Sequence, residues 1–197
     1  MEEEKPSSKI LKILLKEFSV KHTITNIAKE IGMTRVGTWK TLKKLEKEKL
    51  VVLTGIGTGK TSTYSISLNW ENPLLEKTLS LILTEEAIKN QRWLDNFKEL
   101  ENKVDFLIIY GSILYSKEAN DIDILGVTNK NKFIGIESTI SKIQKTQIKK
   151  IHALNFTEAE FKQELKNPNK IFIDAIKKGI ILFRQEKFIK FIRSIKI

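Results

Sequence analysis

Residues 104–127, which read VDFLIIYGSILYSKEANDIDILGV, constrain the fold more than any other stretch of the chain. Phe106 to Tyr110 is an uninterrupted apolar run of the kind that makes a buried strand. It ends at Gly111-Ser112, and after an eight-residue gap comes Asp121-Ile122-Asp123-Ile124-Leu125. Alternation along a strand puts Asp121 and Asp123 on one side and Ile122 and Ile124 on the other. Two neighbouring carboxylates repel unless a cation lies between them. Hard oxygen ligands at this spacing suit Mg²⁺.

Charge is distributed unevenly around this stretch. The 197 residues contain 35 Lys+Arg, 24 Asp+Glu, two His and no Cys, for a net charge of +11. Residues 5–60 are net +9, residues 101–125 net −3 and residues 162–197 net +7. A basic head and tail around an acidic middle suggest separate tasks, with nucleic acid the first anionic partner to consider. Without Cys there is no disulfide framework, thiolate metal site or Cys nucleophile. No apolar run is long enough to span a membrane. The acidic Met-Glu-Glu-Glu opening is unlike a signal peptide, so the expectation is a cytoplasmic protein without membrane partners.

The first seventy residues carry helical spacing followed by strand alternation. Ser7 or Ser8 is positioned to cap a helix through Ile10, Leu11, Ile13, Leu14 and Phe18. Thr23 or Thr25 caps a second helix with Ile27, Ala28 and Ile31 inward, closed by Gly32. Thr34 caps a third, with Trp39, Leu42, Leu45 and Val36 inward. Its other side carries Arg35, Thr38, Lys40, Thr41, Lys43 and Lys44. Leu50–Leu53 is a β-type run, Gly55–Lys60 a glycine-rich turn, and Thr61–Leu68 alternates with period two. Three short helices and a hairpin in this order resemble a winged helix-turn-helix domain over residues 7–69. The resemblance implies a recognition helix that reads nucleic acid, double-stranded DNA first, through Arg35, Thr38, Lys40, Thr41 and Lys44, with Thr58 and Lys60 at the wing tip. Winged helices that read DNA often act as dimers on paired half-sites. A homodimer is therefore open, although no segment announces an interface. The wing sequence Gly57-Thr58-Gly59-Lys60-Thr61 imitates the end of a P-loop. Thr54 stands where that motif needs glycine, and a strand-type segment follows instead of a helix.

Asn72-Pro73 punctuates the chain, and residues 74–103 read as a connecting helix with Thr84-Glu85-Glu86 as a restart. The expected organisation is a winged helix over 1–70, a connecting helix over 71–103 and an α+β domain with a mixed sheet flanked by helices over 104–197.

A strand ending in Gly-Ser, a short loop and Asp-x-Asp on the next strand resemble the nucleotidyltransferase superfamily typified by DNA polymerase β, in its small archaeal and bacterial form. The resemblance covers roughly residues 85–197. It implies that Gly111 lets the backbone approach a triphosphate, that Ser112 donates to its oxygens, and that Asp121 and Asp123 hold catalytic Mg²⁺. The implied reaction transfers a nucleoside monophosphate from an NTP, ATP first, to a protein side chain, a small molecule or a nucleic-acid end. Active members carry a third carboxylate on a later strand. The segment expected to supply it, Lys150-Ile151-His152-Ala153-Leu154-Asn155-Phe156, contains none, and His152 is a poor Mg²⁺ ligand. Two readings follow. One is a DNA-binding nucleotidyltransferase. The alternative is a transcriptional regulator whose degenerate nucleotidyltransferase-like domain only binds nucleotide or mediates assembly.

Overall fold

The computed structural model describes residues 4–57, 63–166 and 170–195. Backbone contacts divide the α+β chain into two compact units, one ending at Ile82 and the other running from Leu83 to Lys196.

The first unit contains α1 (Pro6–Lys16), β1 (His22–Thr23), α2 (Ile24–Ile31), α3 (Arg35–Lys47), β2 (Val51–Ile56) and β3 (Thr63–Leu68). Its antiparallel sheet has the order β1-β3-β2, with Val51 opposite Leu68 and His22 opposite Ile66. Three helices, a hairpin and a short strand added to the hairpin make a winged helix-turn-helix. Ile10, Leu14, Ile27, Leu42, Leu45 and Ile66 are buried in this unit. The predicted caps at Thr23 and Thr34 are present: their side chains accept the amides of Asn26 and Gly37. Gly32 ends α2 at φ 68°, a left-handed conformation that glycine adopts without steric cost. The expected Ser7 or Ser8 cap is absent. Pro6 opens α1 instead, because its fixed φ suits a first helical turn and its missing N–H loses no bond there. At the far end of α3, Asn69 and Asn72 donate to the carbonyls of Glu48 and Lys49, so side chains beyond the wing secure the end of this helix.

Helix α4 (Pro73–Ile88) is one uninterrupted helix, and Asn72 Oδ1 accepts the amide of Leu74 at its start. The expected restart at Thr84 does not occur. The chain breaks after Ile88, where the Asn90 side chain turns back to the Glu86 carbonyl, and α5 (Gln91–Phe97) follows.

In the second unit, β4 (Phe106–Tyr110), β5 (Asp121–Val127), β6 (Lys150–Phe156) and β7 (Ile180–Phe183) form a mixed sheet of order β6-β5-β4-β7. Among the described residues only β5 and β6 pair in parallel, and α6 (Phe133–Gln144) makes the crossover between them. Helices α7 (Glu158–Lys166), α8 (Lys170–Lys178) and α9 (Gln185–Ser194) complete the unit. As expected, Thr157 and Glu160 form a reciprocal capping box at the start of α7.

Alternation divides the sheet into two unlike faces. Leu107, Ile109, Ile122 and Ile124 join Trp93, Phe97, Ile136 and Ile143 in one apolar cluster. The opposite face carries Phe106, whose ring lies 5.5 Å from Phe188 and 5.2 Å from Phe191, and Phe156, which stacks on Phe161 at 5.6 Å. On β5 this second face continues through Val127 and Leu125 to Asp123 and Asp121. Phenylalanines close it at the Val127 end, and it opens to solvent at the aspartate end.

Candidate functional site

Cross-strand register assembles the polar end of this face. Tyr110 lies opposite Asp123 on one side and His152 lies opposite Asp123 on the other, while Lys150 lies opposite Asp121. The two carboxylates therefore share a face, as alternation predicted. His152 sits between them, its Nδ1 3.6 Å from one Asp123 oxygen and its Nε2 4.0 Å from an Asp121 oxygen. Asp123 is less exposed than Asp121, at 30% against 45% of the side chain. Burial, reinforced by the Asp123 charge, raises the pKa of Tyr110 above the ordinary phenol value. Among the described residues no three His, Asp or Glu side chains gather closely enough to hold a metal ion.

Gly111 is indispensable to this arrangement. Its φ of 85° and ψ of −169° lie in a region that is essentially glycine's alone. A Cβ built there would stand 2.5 Å from Asp123 Oδ2, so the carboxylate packs onto the bare Cα. Ser112 opens a single 3₁₀ turn (Ser112–Leu114), is exposed, and among the described residues its hydroxyl meets no partner. The next residues line a cavity of about 410 Å³ with Arg92, Trp93, Tyr115, Lys117 and Lys149. The Arg92 guanidinium lies 4.9 Å from the Trp93 ring centre. The Lys149 ammonium donates to the carbonyls of Lys117 and Ala119, fixing the loop that leads into β5.

The outward side of α3 differs from the expected one. Arg35, Lys40 and Lys44 are exposed as predicted. Thr38 is not: it is fully buried, and its hydroxyl donates to the Thr34 carbonyl at 3.0 Å. That internal bond satisfies the hydroxyl, and a small side chain lets α3 pack closely, so Thr38 joins Leu42 and Leu45 on the inner seam. Thr41 is half-buried and donates to the Gly37 carbonyl at 3.1 Å. Trp39, expected inward, is instead partly exposed, with its ring 5.2 Å from Tyr64 on β3 and Lys43 Nζ 5.3 Å above it. Val36, also expected inward, is 67% exposed on the same outer side. Residues 36, 40, 43 and 47 fall at intervals of three and four, a phase that would have placed Trp39 beside the outer stripe and Thr38 within. Thr58 and Lys60 at the wing tip lie outside the described residues.

No protein-family model and no curated protein sequence matches the chain. Among solved structures, it overlaps three of Lactococcus lactis ZitR, one described as a zinc-responsive MarR family member and the other two as mutants of ZitR. Identities are 16–17%, 74% of this chain and 76–80% of the other are covered, and TM-scores are 0.32–0.33.

Proposed function

We propose that the chain is a DNA-binding transcriptional regulator whose second unit binds a nucleoside triphosphate. The observation that carries the DNA reading is the outer side of α3. There Arg35 and Lys40 are exposed and, among the described residues, pair with no carboxylate. Lys43 is engaged by Glu46 and Lys44 lies 4.0 Å from Glu48, which leaves Arg35 and Lys40 as the cations best able to meet phosphates or base edges. Fluorescence anisotropy with duplex DNA over a series of salt concentrations tests this reading. The double variant Arg35→Ala/Lys40→Ala should bind more weakly. For every phosphate that the variant no longer neutralises, the slope of log K against log[salt] should flatten by about 0.9. Unchanged affinity and slope would exclude α3 as the reader.

The second unit, on this proposal, is nucleotidyltransferase-like but lacks the full carboxylate set. Gly111 and Ser112 would face the phosphates, and Asp121 and Asp123 would hold Mg²⁺. Two carboxylates fit that ion, which is commonly bound by one or two carboxylates with phosphates and water completing its octahedron. When bound, Mg²⁺ would neutralise phosphate charge. The third position beside the pair is filled by His152, an imidazole ill-suited to Mg²⁺. This substitution favours sensing over transfer. A transfer reading retains one specific support, the Asp121 and Asp123 carboxylates paired on one face of β5 and both partly exposed. Calorimetric titration with ATP and Mg²⁺ distinguishes the two. Binding without turnover supports the regulator. Asp121/Asp123-dependent labelling of an acceptor by labelled NTP supports the enzyme, and absence of binding removes the nucleotide from both.

A further inference from the structure

Helix α4 is apolar on more sides than one buried face requires. Leu75, Leu79, Ile82, Leu83 and Ala87 are buried. Leu74, Leu81 and Ile88 are also large and apolar, yet they are 63%, 61% and 57% exposed. They recur every seven residues and so form a single line along the helix. A second apolar line on a helix whose first apolar face is already buried marks a surface that a partner would cover. Lys77 and Glu85, both exposed, fall between the three, so the stripe reads Leu74, Lys77, Leu81, Glu85, Ile88.

The stripe is symmetric about Leu81. Lys77 and Glu85 lie four residues to either side, and Leu74 and Ile88 lie seven. We infer that α4 is a dimerisation helix that pairs antiparallel with α4 of a second copy of this chain, about a two-fold axis at Leu81. In that pairing Leu81 meets its own copy, Leu74 meets Ile88, and Lys77 meets Glu85 on both sides of the axis. Such an isologous contact is self-complementary in shape and in charge. Parallel pairing would set Lys77 against Lys77 and Glu85 against Glu85, and like charges facing each other disfavour it. A second copy is thus the occupant selected by the stripe's own charge order. The contact needs no DNA and stands apart from the reading of α3.

The absence of Cys from the sequence permits a clean test. Single Cys substitutions at Leu74, Leu81 and Ile88, each treated with a short bifunctional maleimide, report which positions meet their own copy. Leu81→Cys should cross-link to itself. Leu74→Cys and Ile88→Cys alone should not, because an antiparallel pair holds each of them about 21 Å from its own copy along the axis. A mixture of those two proteins should cross-link. Self-linking at all three positions would reveal a parallel pair, and no linking at Leu81→Cys would mean no pair at all; either overturns the inference. Sedimentation equilibrium supplies a second arm. Lys77→Glu and Glu85→Lys should each weaken association about tenfold or more, and the double exchange should restore it. Failure of the double exchange to restore association also overturns the charge-ordered pairing.

Discussion

Replacing Gly111 with Ala isolates the contact on which the carboxylate site rests. Two costs follow from the geometry. Holding a non-glycine residue at φ 85° and ψ −169° costs about 1–3 kcal/mol. The new Cβ would also fall 2.5 Å from Asp123 Oδ2, so the carboxylate must rotate away, at about 0.5–1.5 kcal/mol for leaving its rotamer. Together these lower stability by about 1.5–4.5 kcal/mol. At roughly 4 °C per kcal/mol, a conversion suited to a unit this small, the melting point read by calorimetry should fall by about 6–18 °C. A double-mutant cycle separates the two costs. With Asp123→Ala as background the clash is gone, and Gly111→Ala should cost only the backbone part. The coupling should equal the rotamer part, about 0.5–1.5 kcal/mol. Mg²⁺–ATP binding by the Gly111→Ala protein should weaken even at temperatures where it remains folded, since Asp123 no longer holds its place. A Gly111→Ala protein that melts with the parent, or a cycle with zero coupling, would refute the close approach.

Other consequences are simpler to state. Thr38→Val removes the hydroxyl bonded to the Thr34 carbonyl and should cost about 0.5–1.5 kcal/mol in a circular dichroism melt. Thr38→Lys should unfold the winged helix, and a folded variant that binds DNA more tightly would show Thr38 to be outward after all. Thr34→Ala removes the α3 cap and should cost about 1 kcal/mol, with a parallel loss of DNA affinity. Because the folded-state pKa of Tyr110 is raised, stability from its neutral form is complete below the ordinary phenol pKa of 10.0 and is lost as pH rises through the higher folded value. One of the three tyrosines should therefore titrate late in ultraviolet absorbance, and Asp123→Asn should bring it part of the way back. Glu160 behaves in the opposite sense. Hydrogen bonds from the Thr157 backbone and side chain lower its pKa, so its contribution is present above the ordinary value of 4.5 and fades as pH falls below it. Thr157→Ala should move the acid limb of the stability curve accordingly.

Local chemistry explains which features were legible in advance. The Thr23 and Thr34 oxygens at helix starts, the glycine at the end of α2 and the Thr157–Glu160 box declare themselves within four residues, and each formed as expected. Period-two alternation placed Asp121 and Asp123 together because a strand has only two sides. The phase of α3 was harder to read. Thr38 and Trp39 are adjacent, and intrinsic polarity assigns threonine to water and indole to the core. Close packing reversed that choice, since a small residue that satisfies its own hydroxyl suits a tight seam and an indole finds a partner in Tyr64 across the wing. Register between strands distant in sequence was also illegible locally. That His152 stands beside Asp123, and not one residue off, depends on how β6 aligns with β5 after the α6 crossover. No pattern within either strand specifies that alignment.

The order of strands in the second sheet bears on how the chain is made. Strand β4 is central, yet one of its two neighbours is β7, and Ile109 must wait for Ile180 to be synthesised before that edge is paired. Until then Phe-Leu-Ile-Ile-Tyr presents unpaired backbone on one side, in an apolar segment without charge or proline, the kind of edge that recruits strands from other chains. The winged helix can fold as soon as it leaves the ribosome, whereas the second unit must remain incomplete through α6, β6, α7 and α8. Chains arrested or cut before Phe183 should therefore form aggregates seeded at β4 while still carrying a folded winged helix, which makes the shortest strand of that sheet the one that decides solubility.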